Sequence, residues 1–425
     1  MFFGSLVIKF NNMNVYHLTK IKQHFRNDSL ADVKGELSKE LLKLGPFIKP
    51  GARIGVAIGS RGIKNFGLIV KGVLEFLIGN KAYPFIIPAM GSHGDATAEG
   101  QEGILAAYGI SEKTMGVPVR SSMDVVELAQ GDCPNPVFMD KNAYESDGVI
   151  LINRIKPHTD YHGKYESGLV KMAVIGLGNE KQASAIHSYG VYGLSKLITS
   201  TAKQIFSTGK ILGGIALVEN AYDDTMLVNV LKADEFFKQE PVLLDIARQN
   251  MPAFPVNDID LLIIDQMGKD ISGVGIDTNI IGRLKISGQA EPEKPNIKAI
   301  LVLDLTDRSH GNAIGIGLSD VITKKLYDKI DFSATYSNAV TSSFLERVKI
   351  PIVANTEKEA FEIALRSCGY LKMGEEKIIR IKDTLHLDEI YVSEPILNLI
   401  KGSAGIESIK ENVALFNGEN EFTPF

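Results

Sequence analysis

An α/β fold of two domains with largely parallel sheets is predicted by three features of the sequence. Apolar, strand-like runs are each followed by a glycine-bearing polar loop and then by a segment of helical spacing, the order of a parallel sheet covered by helices. The same order resumes after the polar, proline-bearing stretch from Gln249 to Val256, which reads as a linker. The 425 residues, 44% of them hydrophobic, are enough for two cores. The expected domains are residues 1–250 and 251–425.

Taken in order, MFFGSLVIKF reads as a first strand, because it is apolar but short, lacks a basic leader and runs into no small-residue cleavage site. Residues 30–45 carry apolar groups at helical spacing and stop at Gly45. A strand over 53–58 ends in Gly59-Ser60-Arg61-Gly62, and an apolar helix follows over 66–79. A second strand over 84–88 ends in GSHGDAT, with Thr97 opening a helix to Ala107. A third strand over 148–153 breaks into a polar loop with His158, His162 and Lys171, and His187 falls on the helix after it. Residues 191–206 and 234–249 read as helices and 213–218 as a strand. In the second domain, strands are expected over 259–265, 298–303, 350–354 and 377–382, helices near 318–328 and 356–368, and a glycine-rich loop over 267–277.

The carboxyl ends of parallel strands share one edge, so the loops bearing Arg61, His93 and His158 can meet over one pocket. That convergence is the argument for a site. A net charge of −5 offers no basic face to nucleic acid, and no run of about eighteen apolar residues could span a membrane. Cys133 and Cys368 have no metal-ligand spacing and read as free thiols of a cytoplasmic protein.

Each candidate residue has a plain and a chemical reading. His93 lies between glycines that let a backbone approach a ligand, or it merely packs at a helix entrance. Arg61 could clamp a carboxylate or phosphate, or sit on the surface. Lys171, in ESGLVKMAVIG, is flanked by apolar residues that would desolvate its amine, making it a nucleophile; otherwise it snorkels from an amphipathic edge. His158 and His162 stand four apart but beside Pro157 and Gly163, so the helical zinc pair does not apply. Any metal here would need most of its ligands from something other than the protein. His310 reads as a turn. The loop MGKDISG suits a phosphate cradle but matches no phosphate-binding fingerprint.

Together, GSRG, GSHGDAT, Pro157-His158 after an apolar strand, Lys171 in GLVKM and His187 sixteen residues beyond it resemble the nickel-pincer lactate racemase family. The resemblance spans most of the first domain and, more faintly, the second. It implies two α/β domains with the site between them, and a nickel-pincer nucleotide, the pyridinium-3-thioamide-5-thiocarboxylic acid mononucleotide. By position, Lys171 would tether the pincer, His187 would ligate nickel, His93 and His158 would be the paired acid and base, and Arg61 would orient the substrate carboxylate. Lys269, Asp277, Asn279 and Arg283 would fall where the second domain faces the cofactor. The implied activity is that of a 2-hydroxy acid racemase or epimerase, with hydride passing to the cofactor and two histidines moving the hydroxyl proton. The interval from His158 to Lys171 is longer than in the lactate enzyme, and GSRG replaces a more acidic loop. These differences favour a larger or sugar-like hydroxy acid, with His162, Lys164 or Tyr165 contacting extra hydroxyls. A relative that only binds a carboxylated or phosphorylated metabolite is the alternative.

Overall fold

The computed structural model describes residues 16–425 except Arg61, Gln130 and Asp132, and the side chain of Thr341. The strand expected within residues 1–10 lies outside the described residues. The chain divides into two units, residues 25–252 with 339–343 in one, and 253–338, 344–425 and the described residues before Phe25 in the other. Large, mostly parallel sheets with helices make both units α/β.

One boundary differs from the sequence-based division. The first described strand, β1 (His17–Gln23), pairs antiparallel with two strands close to the C-terminus, so residues 17–24 group with 253–338 and 344–425 rather than with 25–252. Pairing partners more than 360 residues away leave no local trace in HLTKIKQ.

The unit of residues 25–252 is built on apolar runs buried on both faces, as interior parallel strands require. It contains β2 (Arg53–Ile58), β3 (Tyr83–Pro88), a small hairpin of β4 (Val125–Glu127) and β5 (Phe138–Asp140), then β6 (Gly148–Arg154), β7 (Ile211–Glu219) and β8 (Thr225–Lys232). The main sheet runs β3-β2-β6-β7-β8, parallel except for the antiparallel β8. The helix Phe66–Gly79 places Phe66, Ile69, Val70, Val73, Leu74 and Leu77 against it. That spacing is one helical face, and each such side chain contributes about 1.5–3 kcal/mol by leaving water.

The other unit begins its parallel sheet with β9 (Asp258–Met267) and β10 (Asn296–Leu305), followed by β11 (Val321–Thr323), β12 (Ile352–Ala354) and β13 (Ile378–Ile381). Then come β14 (Glu389–Val392) and β15 (Ile406–Ala414). Its order is β12-β11-β10-β9-β13-β14-β1-β15, parallel from β12 to β13 and antiparallel beyond. The helix expected near 318–328 is only Lys324–Asp328; Val321–Thr323 before it is a strand, because a three-residue apolar run carries no period that would tell helix from strand. Cys133 and Cys368 are buried free thiols. Among the described residues no helix is long and apolar enough to cross a membrane.

Candidate active site

The chain places β3 on one side of β2 and β6 on the other, so the connections reverse direction between β2 and β6. In an open parallel sheet a ligand crevice forms at that reversal, outside the carboxyl ends of the strands. The loops that open there are 59–65 and 155–168, with the loop after β3 beside them.

The loop after β3 winds through four left-handed residues, Gly91, Gly94, Asp95 and Ala96. At Gly91 a Cβ would lie 3.0 Å from the Ile175 carbonyl oxygen, so glycine is needed both for φ and for space. Gln101, wholly buried, donates to the Gly91 and His93 carbonyls at 3.0 and 3.3 Å, and Thr97 caps the following helix by accepting the Gly100 amide hydrogen at 3.0 Å. His93 is thereby held at an exposed position, where its Nδ1 is hydrogen-bonded with Ser60 Oγ of the loop after β2. Two of the three loops therefore meet. The segment beyond the third loop is tied to them through the Gly91 amide, which donates at 3.2 Å to the carbonyl of Gly176, in the wide helical turn that follows Lys171.

The loop after β6 is closed at its base, where Lys156 and Ser167 exchange backbone hydrogen bonds of 3.0 and 3.2 Å. Inside it, the buried Glu166 carboxylate accepts the His158 amide at 2.6 Å, the Gly163 amide at 2.9 Å and Arg248 at 2.6 Å, with His162 Nδ1 at 3.4 Å. Burial alone would raise this carboxyl; the hydrogen bonds from His162, His158 and Gly163 outweigh it and hold Glu166 below the usual range. The His158 ring packs on the buried Tyr161, ring centres 4.6 Å apart, and its Nδ1 accepts the Asp160 amide hydrogen at 3.0 Å. That leaves Nε2 directed at Lys171 Nζ, with which it is hydrogen-bonded. Lys171 itself ends the short helical turn Leu169–Lys171, over the Tyr161 ring at 5.7 Å.

His187 closes the helix Asn179–His187. A helix C-terminus favours an imidazolium, but burial, and then the charge of Lys171, push this histidine down to about 4, with Asp160 opposing. It is a neutral imidazole near pH 7, and its buried Nδ1 has no hydrogen-bond partner. A neutral ring with an unused nitrogen is what metal ligation asks of histidine.

The remaining expected residues fall as follows. Arg61 lies outside the described residues. His162 leans on Glu166, Lys164 lies 5.5 Å over the Tyr165 ring, and the Tyr165 hydroxyl donates to the Phe237 carbonyl at 2.9 Å. Lys269, Asp277, Asn279 and Arg283 belong to the other unit. There the Asp277 side chain accepts the Asn279 amide hydrogen at 3.0 Å, while Arg283 donates to Asp320 at 2.7 Å and to the Leu318 and Ile297 carbonyls, each at 3.0 Å. His310 is a left-handed turn residue. An open polar hollow of about 450 Å³ between Glu102, Arg120 and Lys141 contains none of the expected residues; its mixed charges lack the convergent polar groups of the β2/β6 edge.

Sequence reasoning did not single out Ser60, Gln101, Glu166, Glu240 or Arg248. A carboxylate that folds inward looks in sequence like any surface carboxylate, and only Glu166, between two histidines and a glycine, had a suggestive setting.

No protein-family model matches the chain, and no curated protein matches it. Among solved structures, a Thermotoga maritima protein from the Northeast Structural Genomics Consortium is similar at 14% identity and a TM-score of 0.51, covering 84% of this chain and 97% of its own. The lactate racemase apoprotein from Thermoanaerobacterium thermosaccharolyticum is similar at 12% identity and a TM-score of 0.49, covering 87% of this chain and 98% of its own. The first likeness shows a shared fold.

Proposed function

We propose that the chain is a racemase or epimerase of a 2-hydroxy acid, working with a nickel-pincer nucleotide tethered to Lys171. The observation that carries this reading is the arrangement of one lysine and two histidines. Lys171 Nζ is hydrogen-bonded with His158 Nε2, and the neutral His187, whose protonation feels the Lys171 charge, keeps a buried ring nitrogen unused.

The donor set fits such a group. The neutral His187, with a buried ring nitrogen that has no hydrogen-bond partner, can supply one imidazole. A metal that arrives with its own organic ligands asks for no more. When bound, the nucleotide would supply a hydride acceptor for the substrate's α-carbon.

The chain's own residues would do the rest. Lys171 would hold the group by an amide-type bond, and His187 would complete the coordination. His93, exposed at the loop rim, and His158, stacked on Tyr161, would accept and return the substrate hydroxyl proton, one for each antipode. Arg61, which follows Ser60 in the sequence, would orient the carboxylate. The substrate would be a 2-hydroxy acid larger than lactate, with His162 and Lys164, both exposed, available to further hydroxyls.

The test is intact mass and metal content of protein co-produced with pincer-synthesis enzymes. Added mass mapping to Lys171 with near-stoichiometric nickel is expected, and Lys171→Ala should lose both. His93→Ala should keep both and lose racemisation. Unmodified mass without nickel would sink the reading and leave a binder of carboxylated or phosphorylated metabolites.

A further inference from the structure

The helix Phe236–Gln249 contributes no candidate site residue, yet two of its side chains reach the two ends of the segment that carries His158 and Lys171. Arg248 holds the first end. It donates at 2.6 Å to Glu166 Oε1 and at 3.2 Å to the Gly163 carbonyl, and Glu166 in turn accepts the His158 amide. Glu240 holds the second end, where its Oε2 accepts the Val170 amide hydrogen at 3.0 Å as the turn Leu169–Lys171 begins.

Glu240 is expensive where it stands. It is wholly buried, its Oε1 has no hydrogen-bond partner, and burial lifts its carboxyl to about 7 against the pull of the Val170 and Leu169 amides. An apolar side chain of similar volume would avoid that cost. The neighbouring backbone is shaped to admit it, since a Cβ on Gly168 would come within 2.4 Å of Glu240 Oε1. Gly168 is also fixed from the opposite direction, because Asn153 at the end of β6 donates to its carbonyl at 2.9 Å. The start of the lysine's turn is thus pinned between the strand that carries the site and a buried carboxyl.

We propose that Glu240 is a positioning residue for Lys171: through the Val170 amide it sets the first turn of the lysine's helix, and so the place of Nζ against His158. Its importance for turnover rests on the reading of Lys171 as the tether. Its structural content does not, and is tested on the full chain made without any pincer-synthesis enzyme.

The probe is competitive acetylation with a trace of acetic anhydride at pH 7, each lysine quantified by peptide mass and Lys171 expressed as a ratio to the exposed Lys401. In the wild type Nζ is engaged by His158. In Glu240→Leu the lysine should be released and its ratio should rise at least fivefold. Glu240→Gln, which keeps an acceptor for the Val170 amide, should stay within twofold of the wild type. Gly168→Ala leaves Glu240 in the chain but displaces its carboxyl, so it should behave like Glu240→Leu and stands in for it if that variant does not fold. An unchanged ratio in folded Glu240→Leu or Gly168→Ala overturns the proposal, whatever those changes do to melting temperature. So does a Glu240→Gln ratio as high as that of Glu240→Leu. Unmodified Lys171 in co-produced protein would defeat the pincer reading and leave this result standing, whereas an unchanged labelling ratio would defeat the positioning role and leave the pincer reading untouched.

Discussion

The two units repeat one plan and use it differently. In each, the first strand of the parallel sheet is an interior one, the next strand in the chain lies on one side of it, and a later strand lies on the other: β2 between β3 and β6, and β9 between β10 and β13. Each sheet therefore has a reversal point at the carboxyl ends of its strands. At β2/β6 the loop turns its chemistry inward: the side chains of His158 and Asp160 are only 14% and 16% exposed, and the loop closes on the buried Glu166. At β9/β13 the loops chiefly bind each other. The Asp277 amide donates to Thr384 Oγ1 at 3.0 Å, and the buried Asp383 holds a histidine, His386, whose side chain is 55% exposed. Topology supplies the crevice in both cases; side chains decide what it can do. Polar groups withdrawn from water cost more to leave unpaired than exposed ones, so the two reversal points should differ sharply in their response to mutation.

The largest effect is expected at Glu166. Glu166→Ala removes one acceptor from the His158 and Gly163 amides, from Arg248 and from His162. Urea unfolding should show a loss of about 3 kcal/mol, as for breaking a buried charged network. Asp383→Ala, the matching change in the other unit, also frees the Leu385 and His386 amides, but its charged partner is half in water, so the cost should be smaller, about 1–2 kcal/mol. Equal losses at the two sites would remove the distinction between an inward-turned loop and a solvated one.

Of comparable size is the pH dependence at Glu240. Its folded value of about 7 lies above its ordinary 4.5, so the fold favours the protonated form. That contribution is complete below 4.5 and is lost as pH rises through about 7. Glu240→Gln has no such titration. Its stability relative to the wild type should therefore rise by on the order of 3 kcal/mol between pH 4.5 and 8, measured as the difference of two denaturant midpoint series. A difference that stays flat with pH would mean that Glu240 is solvated, and that the β2/β6 scaffold is no drier than its counterpart.

Much of this was legible in the sequence where local physics decides. The helix Phe66–Gly79 falls where its apolar spacing predicts, and Thr97 accepts the Gly100 amide hydrogen as an N-cap should. The apolar runs of β2, β3 and β6 and the loops at their ends were visible for the same reason. By contrast β15, IESIKENVA, is an edge strand with a mostly exposed face and no clean alternation, and it forms by pairing with β1 from the opposite end of the chain. Val321–Thr323 is too short to declare its type. Among the candidate residues, motif and spacing single out His158, Lys171 and His187. The carboxylates that accept the His158 and Val170 amides, Glu166 and Glu240, could not be read, because whether they face solvent depends on helix Phe236–Gln249 arriving from some seventy residues away.

The smallest effect should come from the His386–Asp383 pair. The imidazole Nδ1 lies 2.8 Å from each Asp383 oxygen, and that hydrogen bond, outweighing partial burial, raises His386 above its ordinary 6.5 while Asp383 is held low. A histidine raised on folding contributes stability that is complete below about 6.5 and is lost as pH rises through its folded value. With the imidazole half exposed, solvent screening limits the whole effect to at most about 1 kcal/mol. Asp383→Asn should return the His386 imidazole toward its ordinary titration in two-dimensional NMR and flatten this part of the stability curve. The Glu240 titration should be unaffected, because it belongs to the other unit. If Asp383→Asn left the His386 titration where it was, some other group would be raising it. The β9/β13 loops would then hold an acidic neighbour beyond those accounted for by Asp383 and Asp388, and the contrast between an outward-facing and an inward-facing reversal point would need redrawing.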